Sequence, residues 1–376
     1  MRVEIDVSAN MITWAIARAG FELHDFIAKF PRVQDWLDKT KKPTVKQLES
    51  FSHSVHLPFG YMFLQTPPEE QLPIPFFRTH GSQNNVGVSV NVFDTISILQ
   101  QRQDWLKDYL LDSGYNKLPF VGKYNVNANA LAIVADIRAT LNLNDDWASR
   151  FATWQDALNH LTQKIEDCGV VIVFNGVVEN NTSRPISVQD CRGFVLVDAL
   201  APFMFINNSD GKAAQLFTIV HELAHIWIGQ SAGFDFKEML PANDPMELLC
   251  DRVAAEFLVP ETLFNSVWSR TPNIVTVARY FKVSQIVIAR RALDTGKITK
   301  PQFFAFYNDY VNGEFVNKQR QTSGGNFYAT ARKRIGVVFA THINNAVKAN
   351  KLLYRDAYKL TGLQGDTYQT FFTKHL

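Results

Sequence analysis

Residues 216–228 read Leu216-Phe-Thr-Ile-Val-His-Glu-Leu-Ala-His-Ile-Trp-Ile228. The polar members of this run are Thr218, His221, Glu222 and His225. Their spacing of i, i+3, i+4 and i+7 draws one stripe along a helix. Every other position is apolar, so the helix is expected to be buried nearly all round. A buried helix that carries two imidazoles and a carboxylate must satisfy them, because an unpaired buried carboxylate is very costly.

A divalent metal is the simplest partner. Residues four apart share a helix face, so His221 and His225 can grip one ion. His-Glu-x-x-His on a helix is the signature of zinc peptidases, with the Glu as general base. Glu222 can take a proton from water at such an ion. Chance alone supplies the pentad in roughly one chain in a hundred of this length. The third ligand separates subclasses. A subclass that continues the pentad with Gly and a third His needs those residues at 228 and 231, where this chain has Ile228 and Ser231. The other option is a carboxylate on a following helix. Glu247 lies in Glu247-Leu-Leu-Cys-Asp251, four residues from Asp251 and on the same face. Cys250 and Ala254 there are small and allow two helices to approach. Asp251 is placed to accept a hydrogen bond from a ligand imidazole. Two readings of Glu247 stand side by side, since Asp244-Pro-Met-Glu247 also fits a capping box. Glu238 and Glu256 are further carboxylates in range.

The chain has 376 residues, enough for two or three domains, and a globular composition with 46% hydrophobic and 20% charged residues. A net charge of +2 exerts no general pull on nucleic acid or membranes. The charge is uneven, with ten Lys/Arg against four Asp/Glu in residues 301–376. Three cysteines, an odd and widely spaced set, read as reduced thiols in a cytoplasmic protein. Met1-Arg-Val-Glu-Ile-Asp-Val7 lacks the pattern of a signal peptide. The apolar stretch from Phe194 to Ile206 is broken by Asp198 and Pro202, so no membrane span is expected.

Periodicity gives a mostly helical α+β chain. Residues 8–64 read as helical, and Thr66-Pro-Pro-Glu-Glu-Gln-Leu-Pro-Ile-Pro75 is too rich in proline for regular structure. Helices are expected at 91–111, 131–141, 154–168 and 213–229, and another between Asp244-Pro245 and Pro260. Strands are expected at 170–174, 193–197 and 203–206. Residues 273–293 and 302–376 read as helical, the latter interrupted by Ser323-Gly-Gly325.

The stretch from Gly193-Phe-Val-Leu-Val-Asp198 through Phe203-Met-Phe-Ile-Asn207, Phe217-Thr-Ile-Val-His-Glu-Leu-Ala-His225 and Glu247-Leu-Leu-Cys-Asp251 to Phe257-Leu-Val-Pro260 resembles the ImmA/IrrE family of bacterial metallo-endopeptidases. The resemblance implies a small zincin-like (gluzincin) core. His221, His225 and Glu247 would be its zinc ligands, Glu222 its base and Asp251 a supporting carboxylate. Phe203, Met204, Phe205, Ile206 and Asn207 would be an edge strand that pairs with an extended substrate. Cys250 stands where the family usually has Ala. The implied substrate is a helix-turn-helix repressor or an antitoxin or toxin encoded nearby, cut to switch a stress or mobile-element response.

The flanks carry weaker likenesses. Trp14-Ala-Ile-Ala-Arg-Ala-Gly20, Lys42-Pro-Thr-Val-Lys-Gln-Leu48 and Leu57-Pro-Phe-Gly-Tyr-Met-Phe-Leu64 are similar to an XRE-type helix-turn-helix fused ahead of such peptidases. The implied layout is a helix-turn-helix-like domain at 1–66, a linker at 67–80, the peptidase at 81–262, its helical tail at 263–300 and a basic extension at 301–376. Asp35 and Asp38 on the expected recognition segment oppose phosphate contacts, so DNA is a less favoured partner than protein. A rival class is a regulator that binds DNA or a toxin and uses the peptidase fold as scaffold or sensor. Tyr280, His342 and several arginines are open candidates for an oxyanion stabiliser.

Overall fold

The computed structural model describes residues 3–70, 76–78, 89–235, 244–314 and 326–376. Compactness divides the chain into two units, Met1–Pro73 with Asn84–Asp94, and Ile74–Gln83 with Thr95–Leu376.

The N-terminal unit is built from α1 (Ala9–Arg18), α2 (Leu23–Lys29), α3 (Arg32–Leu37), α4 (Val45–Ser54) and a 3-10 turn at Phe59–Phe63. Ile12, Ile16, Phe26, Val33, Trp36, Leu48 and Phe51 close its core. Thr44 and Gln47 form a reciprocal capping box at the start of α4.

Among the described residues, the strands all lie in the larger unit. These are β1 (Phe76–Arg78), β2 (Val171–Asn175), a hairpin of β3 (Val177–Val178) and β4 (Asn181–Pro185), β5 (Gly193–Leu196), β6 (Phe203–Asn207) and β7 (Ala232–Asp235). Five strands form a mixed sheet in the order β1-β7-β5-β6-β2. β6 runs antiparallel to β5 and parallel to β2, with Met204 opposite both Val195 and Ile172. Alternation sorts the faces. Ile172, Phe174, Val195, Met204 and Ile206 join the main core with α8 (Lys212–Ile228). Phe203 turns the other way, against Phe339 of α15 (Val337–Lys348).

Two other helices complete the setting of α8. α9 (Pro245–Leu258) packs along it, and α6 (Ala130–Leu141) packs on α9. Trp227 of α8 stacks on Phe120 at 4.3 Å and donates its indole N–H to Asp136 of α6 at 2.8 Å. Gly229 ends α8 with φ +83°, and a side chain there would meet Gly122 Cα at 2.8 Å, so two backbones touch where only glycine fits. α5 (Val90–Asp112) fastens the β5–β6 connection, because Gln103 donates to the carbonyls of Leu196 and Ala201 at 2.7 and 2.8 Å.

The remaining helices are α7 (Trp154–Asp167), α10 (Glu261–Arg270), α11 (Ile274–Phe281), α12 (Gln285–Asp294), α13 (Lys300–Glu314), α14 (Phe327–Ile335), α16 (Tyr354–Thr361) and α17 (Gly365–Lys374). The expected helix over 273–293 is two, broken where Lys282 adopts φ +56° and Ser284 caps the next. The Ser323-Gly-Gly325 interruption lies outside the described residues. Among the described residues no helix is long and apolar enough to cross a membrane.

The strand at 203–207 corrects an expectation. It is not an edge. β5 and β2 flank it on both sides, and its five residues are buried. Its backbone donors and acceptors are engaged in two ladders, so Phe203–Asn207 cannot take up a substrate strand. Asn207 has a structural task instead, since its amide donates to the carbonyls of Ile186 and Cys191 at 3.0 and 2.9 Å. The edge strands of this sheet are β1 and β2.

Candidate metal centre

The polar stripe of α8 lies entirely inside the protein. His221, Glu222 and His225 are 0% exposed, Thr218 is 2% and Glu247 of α9 is 1%. Asp244 caps α9 by accepting the amide N–H groups of Met246 and Glu247 at 2.8 and 3.3 Å, with Pro245 following it. That cap leaves the Glu247 side chain free to face α8. The two readings of Asp244-Pro-Met-Glu247 therefore separate, with Asp244 serving the helix end and Glu247 serving the cluster.

Four donor atoms converge there. His221 Nε2 stands 3.1 Å from Glu247 Oε2 and 3.2 Å from His225 Nε2. His225 Nε2 stands 3.3 Å from Glu247 Oε1. His221 Nδ1 is 3.0 Å from Asp251 Oδ1, which assigns its proton to that bond and leaves the Nε2 lone pair facing inward. Lone pairs so crowded repel one another unless a cation lies among them. Donors about 2.1 Å from a tetrahedral ion stand roughly 3.4 Å apart, close to the spacing found. The residues fit a divalent metal, and their imidazole and carboxylate chemistry suits zinc.

With no ion among them, the same groups are reconciled only by sharing protons between imidazole and carboxylate. Burial opposes a charge on His221, but the bonds to Asp251 and Glu247 outweigh it and push the imidazole up to about 10. Burial also works against the Glu247 carboxylate, yet contact with both imidazoles pulls it down to about 2. Burial holds His225 below its ordinary value. Burial lifts Glu222 to about 8. Neither Glu222 oxygen has a hydrogen-bond partner among the described residues. A fully buried carboxyl with no partner among the described residues is costly to keep.

Gly193 of β5 makes room for this arrangement, a role that sequence reading missed. A Cβ at 193 would lie 2.5 Å from Thr218 Cγ2, 3.0 Å from the Phe205 carbonyl oxygen and 3.4 Å from Glu222 Oε1. Only a residue without a side chain lets α8 seat this closely on the sheet. Gly193→Ala is expected to cost about 1–3 kcal/mol in chemical denaturation, the usual penalty of overpacking. Asp251→Ala is expected to weaken metal binding by roughly 10–100-fold in competition with a chelator.

Other candidates lie elsewhere. Glu256 pairs with Arg291 and accepts the Glu261 amide. His342 sits edge-on against Tyr109 and Tyr115. Glu238 lies outside the described residues. Cys250, read first as a small spacer, belongs to the cluster, because its sulfur and a nitrogen of each imidazole all lie within 4.8 Å of one another.

Comparison with known proteins bears on the same segment. Residues 165–293 match the peptidase M78 family, described as an IrrE N-terminal-like domain, a span that takes in β2, the hairpin, β5 to β7, α8 and α9. Residues 335–374 match a domain of unknown function, DUF8813. No curated protein and no solved structure matches the chain.

Proposed function

We propose that this chain, a member of the ImmA/IrrE family through its IrrE N-terminal-like domain at residues 165–293, is a zinc-dependent endopeptidase. The observation that carries the reading is the set of His221, His225 and Glu247 atoms 3.1–3.3 Å apart, beside a buried Glu222 that has no hydrogen-bond partner among the described residues.

His221, His225 and Glu247 would hold the ion. A zinc ion there supplies Lewis acidity, which acidifies water and polarises a carbonyl. Glu222 is the general base. Its carboxylate accepts the proton of the attacking water and passes it to the departing amine nitrogen, so the peptide bond breaks without leaving a charged amide. Burial raises the basicity of this carboxylate, and a cation beside it would hold the group ionised. Asp251 is a positioning residue. By accepting the His221 Nδ1 proton it fixes the ring's tautomer and its direction.

The substrate in this reading is a protein, and by resemblance a helix-turn-helix repressor or an antitoxin-type partner encoded nearby. The test is direct. The zinc-loaded chain is incubated with the helix-turn-helix protein encoded next to its gene, and fragments are read by mass spectrometry. Cleavage by the wild type and none by Glu222→Gln supports the reading. An intact partner in both reactions contradicts that substrate.

A further inference from the structure

Cys250 is one helical turn beyond Glu247 and projects on the same face of α9. It is 0% exposed. Packing alone asks only for a small residue there. The other two cysteines each give their S–H to a carbonyl, Cys168 to Ile165 at 3.0 Å and Cys191 to Gly193 at 3.5 Å. The Cys250 sulfur has no such acceptor among the described residues. It has two imidazole nitrogens within 4.8 Å instead. A second observation points to a cation at the same place. Glu247 Oε1 is buried and makes no hydrogen bond among the described residues, and it stands 3.3 Å from His225 Nε2.

We propose that the Cys250 sulfur is a fourth protein ligand of the metal in this chain, an inference that rests on the metal-site reading above. Sulfur–zinc bonds are about 2.3 Å long, so a sulfur and a nitrogen on one tetrahedral ion stand roughly 3.6 Å apart, inside the 4.8 Å that bounds the Cys250 sulfur and the two imidazole nitrogens. The bond forms as the incoming ion displaces the thiol proton, which leaves with a water that the ion sheds. Two imidazoles, a carboxylate and a thiolate make a closed tetrahedral set. The resting site is then shut, and water gains a place at the ion only when the Cys250 sulfur withdraws. Latency of this kind is a property of this chain's own residue at 250, since Ala or another inert small side chain there leaves the fourth position open.

The experiment uses the full chain loaded with cobalt(II) in place of zinc, and reads its absorption spectrum. Cobalt bound by a thiolate shows an intense sulfur-to-metal charge-transfer band in the near ultraviolet, beside the visible bands of a four-coordinate ion. Wild type is expected to show both. Cys250→Ala and Cys250→Ser are expected to lose the near-ultraviolet band and keep visible absorption, which also reports that these variants still fold and hold the ion. Visible bands without the charge-transfer band in wild type overturn the proposal and leave the His221–His225–Glu247 site standing. A charge-transfer band that persists in both variants overturns it in favour of another thiol. No cobalt-dependent absorption in wild type overturns the metal site as well. The wild-type spectrum decides the first of these outcomes whatever the variants do.

Discussion

Glu222→Gln is expected to lower peptide cleavage by about 10²–10⁴-fold while the protein keeps its metal and its fold. The substitution replaces one carboxylate oxygen by an amide of the same shape. The amide cannot accept the proton of an attacking water, so the base is lost and nothing else. His221, His225 and Glu247 do not depend on Glu222 for a hydrogen bond, so the ion is retained. Stability is expected to change little, because Gln keeps the shape of a buried carboxyl that burial already holds near neutrality. Cleavage assays beside elemental analysis and thermal melts check this. A variant that still cleaves at the wild-type rate removes Glu222 from the mechanism, and one that loses metal or melts early makes it a structural residue.

Glu247→Ala has the second large effect, on binding. It removes both oxygens that face His221 Nε2 and His225 Nε2 and the only donor among His221, His225 and Glu247 that comes from α9. Two imidazoles from α8 and the Cys250 sulfur are left, without the carboxylate that faces both imidazoles, and zinc binding is expected to weaken by more than the roughly 10–100-fold assigned to Asp251→Ala. Asp244, Pro245 and the apolar face of α9 are untouched, so the helix persists. Titration of both variants against a chelator of known affinity, with circular dichroism as the control for folding, tests the order. Equal losses in the two variants would reduce Glu247 to a supporting carboxylate.

Much of this site could be read from the sequence because two local rules coincided. The i, i+3, i+4, i+7 stripe in an apolar run can only be a buried helix with one polar face, and α8 is that helix. Asp244-Pro245 announced the start of α9 through cap chemistry that owes nothing to tertiary contacts. What the sequence hid was non-local. Ala232-Gly-Phe-Asp235 has no alternating pattern and Phe76-Phe-Arg78 sits in a proline-rich tract, yet they pair in parallel at one end of the sheet. The apolar run at 203–207 gives a strand, but no local feature says whether its neighbours are one or two. The structure supplies two, and that removes it as a docking edge. The demands on Gly193 come from Thr218 and Phe205, 25 and 12 residues away along the chain, so its necessity is visible only in the packed state.

Native mass spectrometry of the wild-type chain after zinc is supplied and excess removed tests the central claim most directly. The account predicts a mass increase of one zinc per chain, and a smaller zinc-bearing fraction in Glu247→Ala under the same conditions. A wild-type chain that stays metal-free would contradict it, for His221, His225 and Glu247 would then crowd together with no ion to hold.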